Sequence, residues 1–128
     1  MSAASDYLEN KLLDHTLKNT AFSQPSNLYV GLYTSSPADD DSGTECSGGG
    51  YARQSASFAA ASGGSCSTDA TITFPAATGN WGTITHVSVH DASSSGNLLF
   101  HGAVTSSKTI ETGDTFQISS GNLTITLA

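Results

Sequence analysis

The order of apolar and polar residues predicts a single helix at the start of the chain. Between residues 6 and 22, apolar side chains recur at the three- and four-residue spacing of one helical face. This stripe consists of Leu8, Leu12, Leu13, Leu17 and Ala21. Ser5 is suited to cap the first turn, and Pro25 follows the last one. A helix this short is marginal alone, so the stripe must be covered by the sheet or by a neighbouring subunit.

From residue 27 onward the pattern changes to the two-residue alternation of half-buried strands. Residues 27–34 give the clearest case, with Leu28, Val30 and Leu32 on one face. Further short strands are predicted over residues 51–58, 70–74, 83–90, 98–104, 108–110, 115–118 and 123–127. Ile84 is out of phase with the valines that follow it, which indicates a β-bulge or a late strand start.

One helix followed only by strands favours an all-β fold, because strands and helices do not alternate along the chain. We predict an antiparallel β-sandwich or jelly-roll-like barrel with one N-terminal amphipathic helix. The length suits one domain over residues 1–128, with the helix at 6–22 and the β-sandwich at 27–127. Residues 35–50 and 59–69 are rich in Gly, Ser and Asp without apolar periodicity, which predicts two loops.

Composition narrows the classes of function. The chain has 21 Ser, 16 Thr and 13 Gly but only 4 Lys and Arg, with a net charge of −7. Binding to nucleic acid or to an anionic membrane requires clustered cations, so we expect neither partner. The first residues lack the basic and apolar regions of a signal peptide, so we expect synthesis in a cytosol.

Two groups of residues resemble metal sites, and both patterns are incomplete. His86 and His90 lie on one predicted strand about 13 Å apart, too far to share an ion. His101 could face His90 across a two-residue turn. Together with Asp91 these two histidines would still be an incomplete set of zinc ligands. The acidic run that begins at Asp39 lacks the Gly and Glu that a calcium loop needs at its sixth and twelfth positions. We therefore predict hydrogen-bonded histidines, a solvated acidic loop and no cofactor or metal.

No residue lies in the sequence context of a known type of catalytic group. The chain has no Gly-x-Ser-x-Gly sequence, and most of its acids lie in predicted loops or on the helix. Cys46 and Cys66, twenty residues apart, have no basic neighbour to lower the thiol pKa. The two thiols are either free or bridged, and sequence leaves that choice open. The sequence therefore predicts a protein that is not an enzyme.

Residues 48–54 form the most unusual segment. Three consecutive glycines permit positive φ or a close approach of two backbone segments. The planar guanidinium of Arg53, the only arginine, suits a two-point contact with a carboxylate, which would brace the core or form part of an interface. The alternative is an ordinary loop that ends in a strand, with Arg53 on the solvent-exposed face. Trp81 lies in a predicted turn, where it is either a lid over the core or a platform for sugar rings.

Six segments carry a resemblance to a known family. They are Leu12–His15, Leu28–Thr34, Gly48–Gln54, Phe74–Ala77, Trp81–His86 and Thr112–Phe116. The segments that begin at Gly48 and at Trp81 are the most specific. Through them the whole chain resembles small tailed-phage virion proteins that are commonly labelled tail-fibre proteins. The resemblance implies a structural component of the virion without catalytic residues or a cofactor, and it leaves the position on the particle open.

Within that class we predict a capsid-decorating cement protein on the head surface. It would be a homotrimer bound to the major capsid protein or to other virion proteins, and it would be assembled in the cytoplasm of the bacterial host. The alternative is a tail-fibre or baseplate module that contacts host glycans through exposed aromatic rings. The candidate interface residues are Leu8, Leu12, Leu17, Tyr29, Tyr33, Arg53 and Trp81. Exposed aromatic residues favour the alternative, whereas buried ones favour the cement protein.

Overall fold

The strands form one five-stranded sheet and two short two-stranded sheets, all of them antiparallel. A computed structural model describes residues 3–127 of the chain. Its elements in chain order are β1 (Ala3–Ala4), α1 (Asp6–Leu17), β2 (Leu28–Tyr33), β3 (Gln54–Ala56), β4 (Ser65–Ser67), β5 (Ile72–Thr73), β6 (Gly82–His90), β7 (Leu98–Ile110), β8 (Gln117–Ile118) and β9 (Thr124–Thr126). The prediction of an all-β antiparallel fold with a single short helix is confirmed.

The large sheet has the order β1-β7-β6-β2-β3. Its registers place apolar pairs such as Val30 and Val89 on an inner face, whereas Gly31 and Ser88 pair on the outer face. The strict alternation predicted for residues 27–34 is the reason for this division. The inner face carries most of the core, the outer face carries buried polar side chains such as Ser88 and His90, and α1 contacts β7.

The two short sheets form a second layer over the inner face. β4 pairs with β9, and β5 pairs with β8. Backbone hydrogen bonds between Thr68 N and Leu123 O and between Phe74 N and Phe116 O extend the two ladders toward each other. Ile72, Phe74 and Ile125 from this layer join the valines and leucines of the large sheet in one buried cluster.

The described strands do not close into a barrel, so the jelly-roll-like barrel among our predictions is wrong. Between the pairs Ile84–Lys108 and His86–Ala103, β6 has one residue and β7 has four, residues 104–107. This β-bulge bends β7, and the predicted irregularity at Ile84 is thereby confirmed. β7 pairs with β1 only through Phe100 and His101, so the outer edge of its second half has no strand beside it among residues 3–127.

The helix begins as predicted and ends earlier. The Ser5 side chain accepts a hydrogen bond from Leu8 N at 3.2 Å, which confirms the N-cap. The predicted end at residue 22 is wrong, because α1 ends at Leu17 and Asn19 takes a left-handed φ of 57°. An αL residue stops the helix without proline, and Asn accepts that conformation more readily than most residues.

The single apolar stripe that we predicted for the helix is also wrong. Leu8 is buried, whereas Leu13 and Leu17 are 54% and 80% exposed. At about 100° per residue, Leu17 lies about 180° around the helix from Leu8, so both cannot face the same sheet. Apolar spacing alone therefore overestimated the width of the buried face.

Short elements account for the remaining differences. β1 was not predicted, and β4 lies within the predicted loop at residues 59–69. Residues 98–104 and 108–110, predicted as two strands, form the single strand β7. Each missed strand is two or three residues long, which is too short for a period of two to be recognised.

Candidate functional site

A buried polar network occupies the outer face of the large sheet above Gly31. A Cβ at this position would lie 2.7 Å from Ser88 Oγ and 3.0 Å from Glu45 Oε2. The phenol of Tyr51 donates to Glu45 Oε2 at 2.6 Å and accepts from Leu32 N at 2.9 Å. Glycine at position 31 therefore leaves room for polar side chains that arrive from two other segments.

Arg53 joins this network to two loops. Its Nε donates to Glu45 Oε2 and its Nη2 to Glu45 Oε1, both at 2.8 Å. Its Nη1 donates to the carbonyls of Ala92 at 3.0 Å and Ser95 at 2.8 Å. The predicted two-point carboxylate contact is confirmed. Arg53 holds the loop before β3 against the turn between β6 and β7, which is the bracing role among the alternatives.

The charges of this pair reinforce each other. Burial opposes ionisation of Glu45, but hydrogen bonds from Arg53 and Tyr51 outweigh it and lower the pKa of the carboxyl. Burial likewise opposes the charge of Arg53, and the bonds to Glu45 raise the pKa of the guanidinium. Burial, followed by the bond to Glu45, raises the pKa of the Tyr51 phenol. Tyr51 thus remains a neutral donor beside a charged carboxylate.

A second part of the network surrounds His90, whose side chain is fully buried. Ser88 Oγ lies 3.0 Å from its Nδ1, and Asp41 Oδ2 lies 3.4 Å from its Nε2. The Tyr33 hydroxyl donates to Asp41 Oδ1 at 2.7 Å and its ring stacks on the imidazole. Burial, together with the charge of Arg53, lowers the pKa of His90, so the ring is neutral at pH 7 and Nε2–H faces Asp41.

The structure directs the candidate metal ligands to different partners. His101 Nε2 lies 2.8 Å from Asp39 Oδ1, and His86 Nδ1 lies 2.8 Å from Thr85 Oγ1. His90 pairs with Leu98 rather than with His101 across the two strands. Carboxylate oxygens of Asp6, Glu9 and Asp39 come within 4.8 Å of one another, but all three residues are exposed. We assign no ion to these solvated acids.

Trp81 lies in the core and is hydrogen-bonded to the glycine segment at residues 48–50. Its Nε1 donates to Gly49 O at 2.9 Å, and its ring packs edge-on against Tyr51 and Phe74. Gly49 has a φ of 57°, and a Cβ there would lie 2.9 Å from Gly79 O. The predicted close backbone approach in this segment is confirmed, and Trp81 is the lid rather than a surface platform.

Both cysteines are free thiols, so the bridged alternative does not occur. Burial raises the pKa of the Cys46 thiol to about 11. The Cys46 Sγ lies 3.5 Å from the carbonyl oxygen of Trp81, and Cys66 Sγ lies 2.9 Å from Ala59 O. Each thiol therefore has a backbone partner.

The seven candidate interface residues do not form one surface. Leu8, Tyr33 and Trp81 are buried, Leu12, Tyr29 and Arg53 are half-buried, and Leu17 is exposed. The three buried side chains belong to the core of their own chain. Leu17 is the residue of the set with the largest free surface, and the interface itself stays a prediction.

A cleft that the sequence did not indicate lies between β7 and the C-terminal strands. Its main part is a groove of about 670 Å³ that includes Val104, Lys108 and Phe116, and it adjoins an apolar hollow of about 250 Å³. Val89, Phe100 and Ile125 line both parts. None of the described lining residues is Asp or Glu, although the chain has 11 acids.

Comparison with known protein families gives a match over nearly the whole chain. A family model described as podophage GP4 fiber I protein gp80 matches residues 3–126. The chain belongs to this family. The predicted resemblance to phage tail-fibre proteins is thereby confirmed, and the protein is a structural component of a phage virion. No curated protein matches the chain. In the described part of the chain, no helix is long and apolar enough to cross a membrane.

Proposed function

We propose that this protein is a component of the tail-fibre apparatus of a tailed phage, where it acts through surface contacts and carries out no reaction. The observation that carries this proposal is the match of residues 3–126 to a family of phage fibre proteins. Head decoration, which we favoured from sequence, thus becomes the second candidate.

The polar network supports a role based on fixed shape. Arg53 and Glu45 hold the acidic loop at residues 35–47 and the turn at residues 91–97 in fixed positions. Tyr33 and His90 add further contacts to the same loop through Asp41. Loops held in this way lose little conformational entropy when a partner binds, which favours association.

We also propose that the protein forms a homotrimer and attaches to other virion proteins, after synthesis in the host cytoplasm. Leu13 and Leu17 support self-association, because they lie next to each other on the helix surface. Neighbouring exposed apolar side chains mark contact sites more often than a single exposed one does. With 4 Lys and Arg against 11 acids, neither nucleic acid nor an anionic membrane fits as a partner.

One observation keeps head decoration as the second candidate. Tyr33 and Trp81 are 2% and 4% exposed, so their rings are unable to stack on a host glycan. Tyr29 alone among the three candidate rings retains partial exposure. If the fibre contacts glycans, Tyr29 is the one ring of these three that could take part.

Localisation on the phage particle tests the proposal. A cryo-EM map of virions decorated with an antibody fragment against this protein should show the extra density on the tail. A virion that lacks the protein serves as the control. Density arranged on the head lattice would reject the fibre assignment and establish head decoration.

A further inference from the structure

The outward face of α1 carries apolar side chains that the chain itself does not cover. Leu13 and Leu17 are among the three exposed large apolar residues of the described chain. They stand four residues apart, and Glu9 continues the same row toward the start of the helix. The row from Glu9 to Leu17 is about 12 Å long and presents one carboxylate followed by two leucines.

The cleft beside β7 offers the complementary pattern. Its small hollow is lined almost entirely by apolar groups, among them Phe58, Leu99 and Leu127. Its volume of about 250 Å³ exceeds the ~150 Å³ of a cavity that accommodates benzene, so it has room for a leucine side chain. The groove that continues from it carries Lys108 and no carboxylate.

The distribution of charge favours some contacts between two copies of the chain over others. Two molecules that each carry −7 repel one another wherever their acids face each other. The part of the cleft at Lys108 avoids this repulsion, because the described lining has no acid and includes one of only 4 Lys and Arg in the chain. The part at His101 is different, because this lining residue is bonded to Asp39. The helix face that carries Glu9 is therefore attracted to Lys108 in the cleft, whereas the acidic loop at residues 35–47 repels it.

We propose that the Leu13–Leu17 face of α1 packs into the β7 cleft of a second copy, with the leucines toward the apolar hollow and Glu9 toward Lys108. This mode of helix-in-groove contact is common in protein recognition. Helix and cleft are different surfaces of one chain, so the contact is head-to-tail, and it gives a ring such as a trimer when the rotation between copies closes. The inference rests on the self-association proposed above.

Substitution of the exposed leucine tests the helix side of the contact. In light scattering coupled to size-exclusion chromatography, the full chain should run at a multiple of 13.0 kDa. Leu17→Asp should raise the dissociation constant about 10- to 100-fold, because a leucine loses its burial. Thr20→Asp adds the same charge outside the proposed contact and should leave the constant unchanged. Circular dichroism and melting of the monomer verify that both variants fold.

A charge exchange tests the cleft side. Glu9→Lys and Lys108→Glu should each weaken association, and the double variant should recover most of the loss. Glu9→Lys stands beside Asp6 and Asp39, so the new cation meets opposite charges in its own chain and the fold is kept.

The outcomes separate the parts of the proposal. A wild-type chain that stays monomeric at every concentration overturns the inference, while the localisation on the particle still decides the fibre assignment. Equal association of the Leu17→Asp and Thr20→Asp variants also overturns it. Loss of association in Leu17→Asp without recovery in the charge exchange means that α1 contacts another surface, which rejects the cleft as its partner.

Discussion

Arg53 links three parts of the chain through four side-chain hydrogen bonds. Two go to the carboxylate of Glu45, and one each goes to the carbonyls of Ala92 and Ser95. The side chains of Arg53 and Glu45 are 7% and 23% exposed, so both charges are largely removed from water. Each charge is tolerated only because the other is present.

We predict that Arg53→Ala lowers the free energy of unfolding by about 3 kcal/mol, because Glu45 keeps a buried charge without its partner. The value lies at the lower end of the usual range since water reaches part of Glu45. Urea denaturation of the monomer measures the loss.

Two further variants control this measurement. Arg53→Lys should lose less, because lysine retains the charge but lacks the planar fork. The double variant Arg53→Ala with Glu45→Gln should be more stable than Arg53→Ala alone, since the unpaired charge is removed. A loss below about 1 kcal/mol in Arg53→Ala would mean that the pair contributes like an exposed one.

At the scale of elements, α1 is held mainly by its first turn, and Leu12 adds a partly buried contact with the core. Ser5 N donates to Leu99 O at 2.9 Å, the Ser5 hydroxyl donates to Leu98 O, and Leu8 is buried against the sheet. The last turn contributes the exposed Leu17 and little contact. α1 is thus anchored at one end and available to a partner along its outer face.

We predict a large difference between two leucines of this one helix. Leu8→Ala should cost about 2–5 kcal/mol, because it leaves a cavity under the helix. Leu13→Ala should change the stability of the monomer by less than about 0.5 kcal/mol, because its side chain is half exposed to water already. Thermal unfolding measures both losses, at protein concentrations low enough for the chain to be a monomer. Equal losses would contradict the anchoring of α1 by its first turn.

The helix also shows how far sequence predicts an element. Ser5 and the acids that follow it identified the start of α1, because capping involves only neighbouring residues. The end at Leu17 and the exposure of Leu13 were missed. Both depend on how much sheet surface lies beneath the helix, and that surface comes from β7, about ninety residues away.

For the whole molecule, the polar network couples folding to pH. The folded-state pKa of His90 is lowered from its ordinary value of 6.5, first by burial. The unfolded chain therefore binds a proton at a higher pH than the folded chain does, and stability falls as pH drops below about 6.5. Glu45, whose pKa is also lowered in the fold, adds to the loss as pH falls further through its folded pKa.

We predict that the midpoint of urea unfolding decreases between pH 7 and pH 5. For one proton, the slope of the unfolding free energy is at most about 1.4 kcal/mol per pH unit. His90→Gln should flatten this slope, whatever the variant's own stability at pH 7. An unchanged slope in His90→Gln would place the pH dependence elsewhere in the chain.

The sequence by itself determined most of the segments that become strands, where the helix starts, that Arg53 suits a carboxylate and which family the chain resembles. These features follow from the preferences of neighbouring residues and from short motifs, which act within a few positions of the chain. Only the tertiary structure decided that Trp81 and Tyr33 are buried, that Glu45 is the partner of Arg53 and that β7 borders an open cleft. Burial and edge pairing depend on contacts between residues far apart, and no local pattern specifies which distant surface covers a given face.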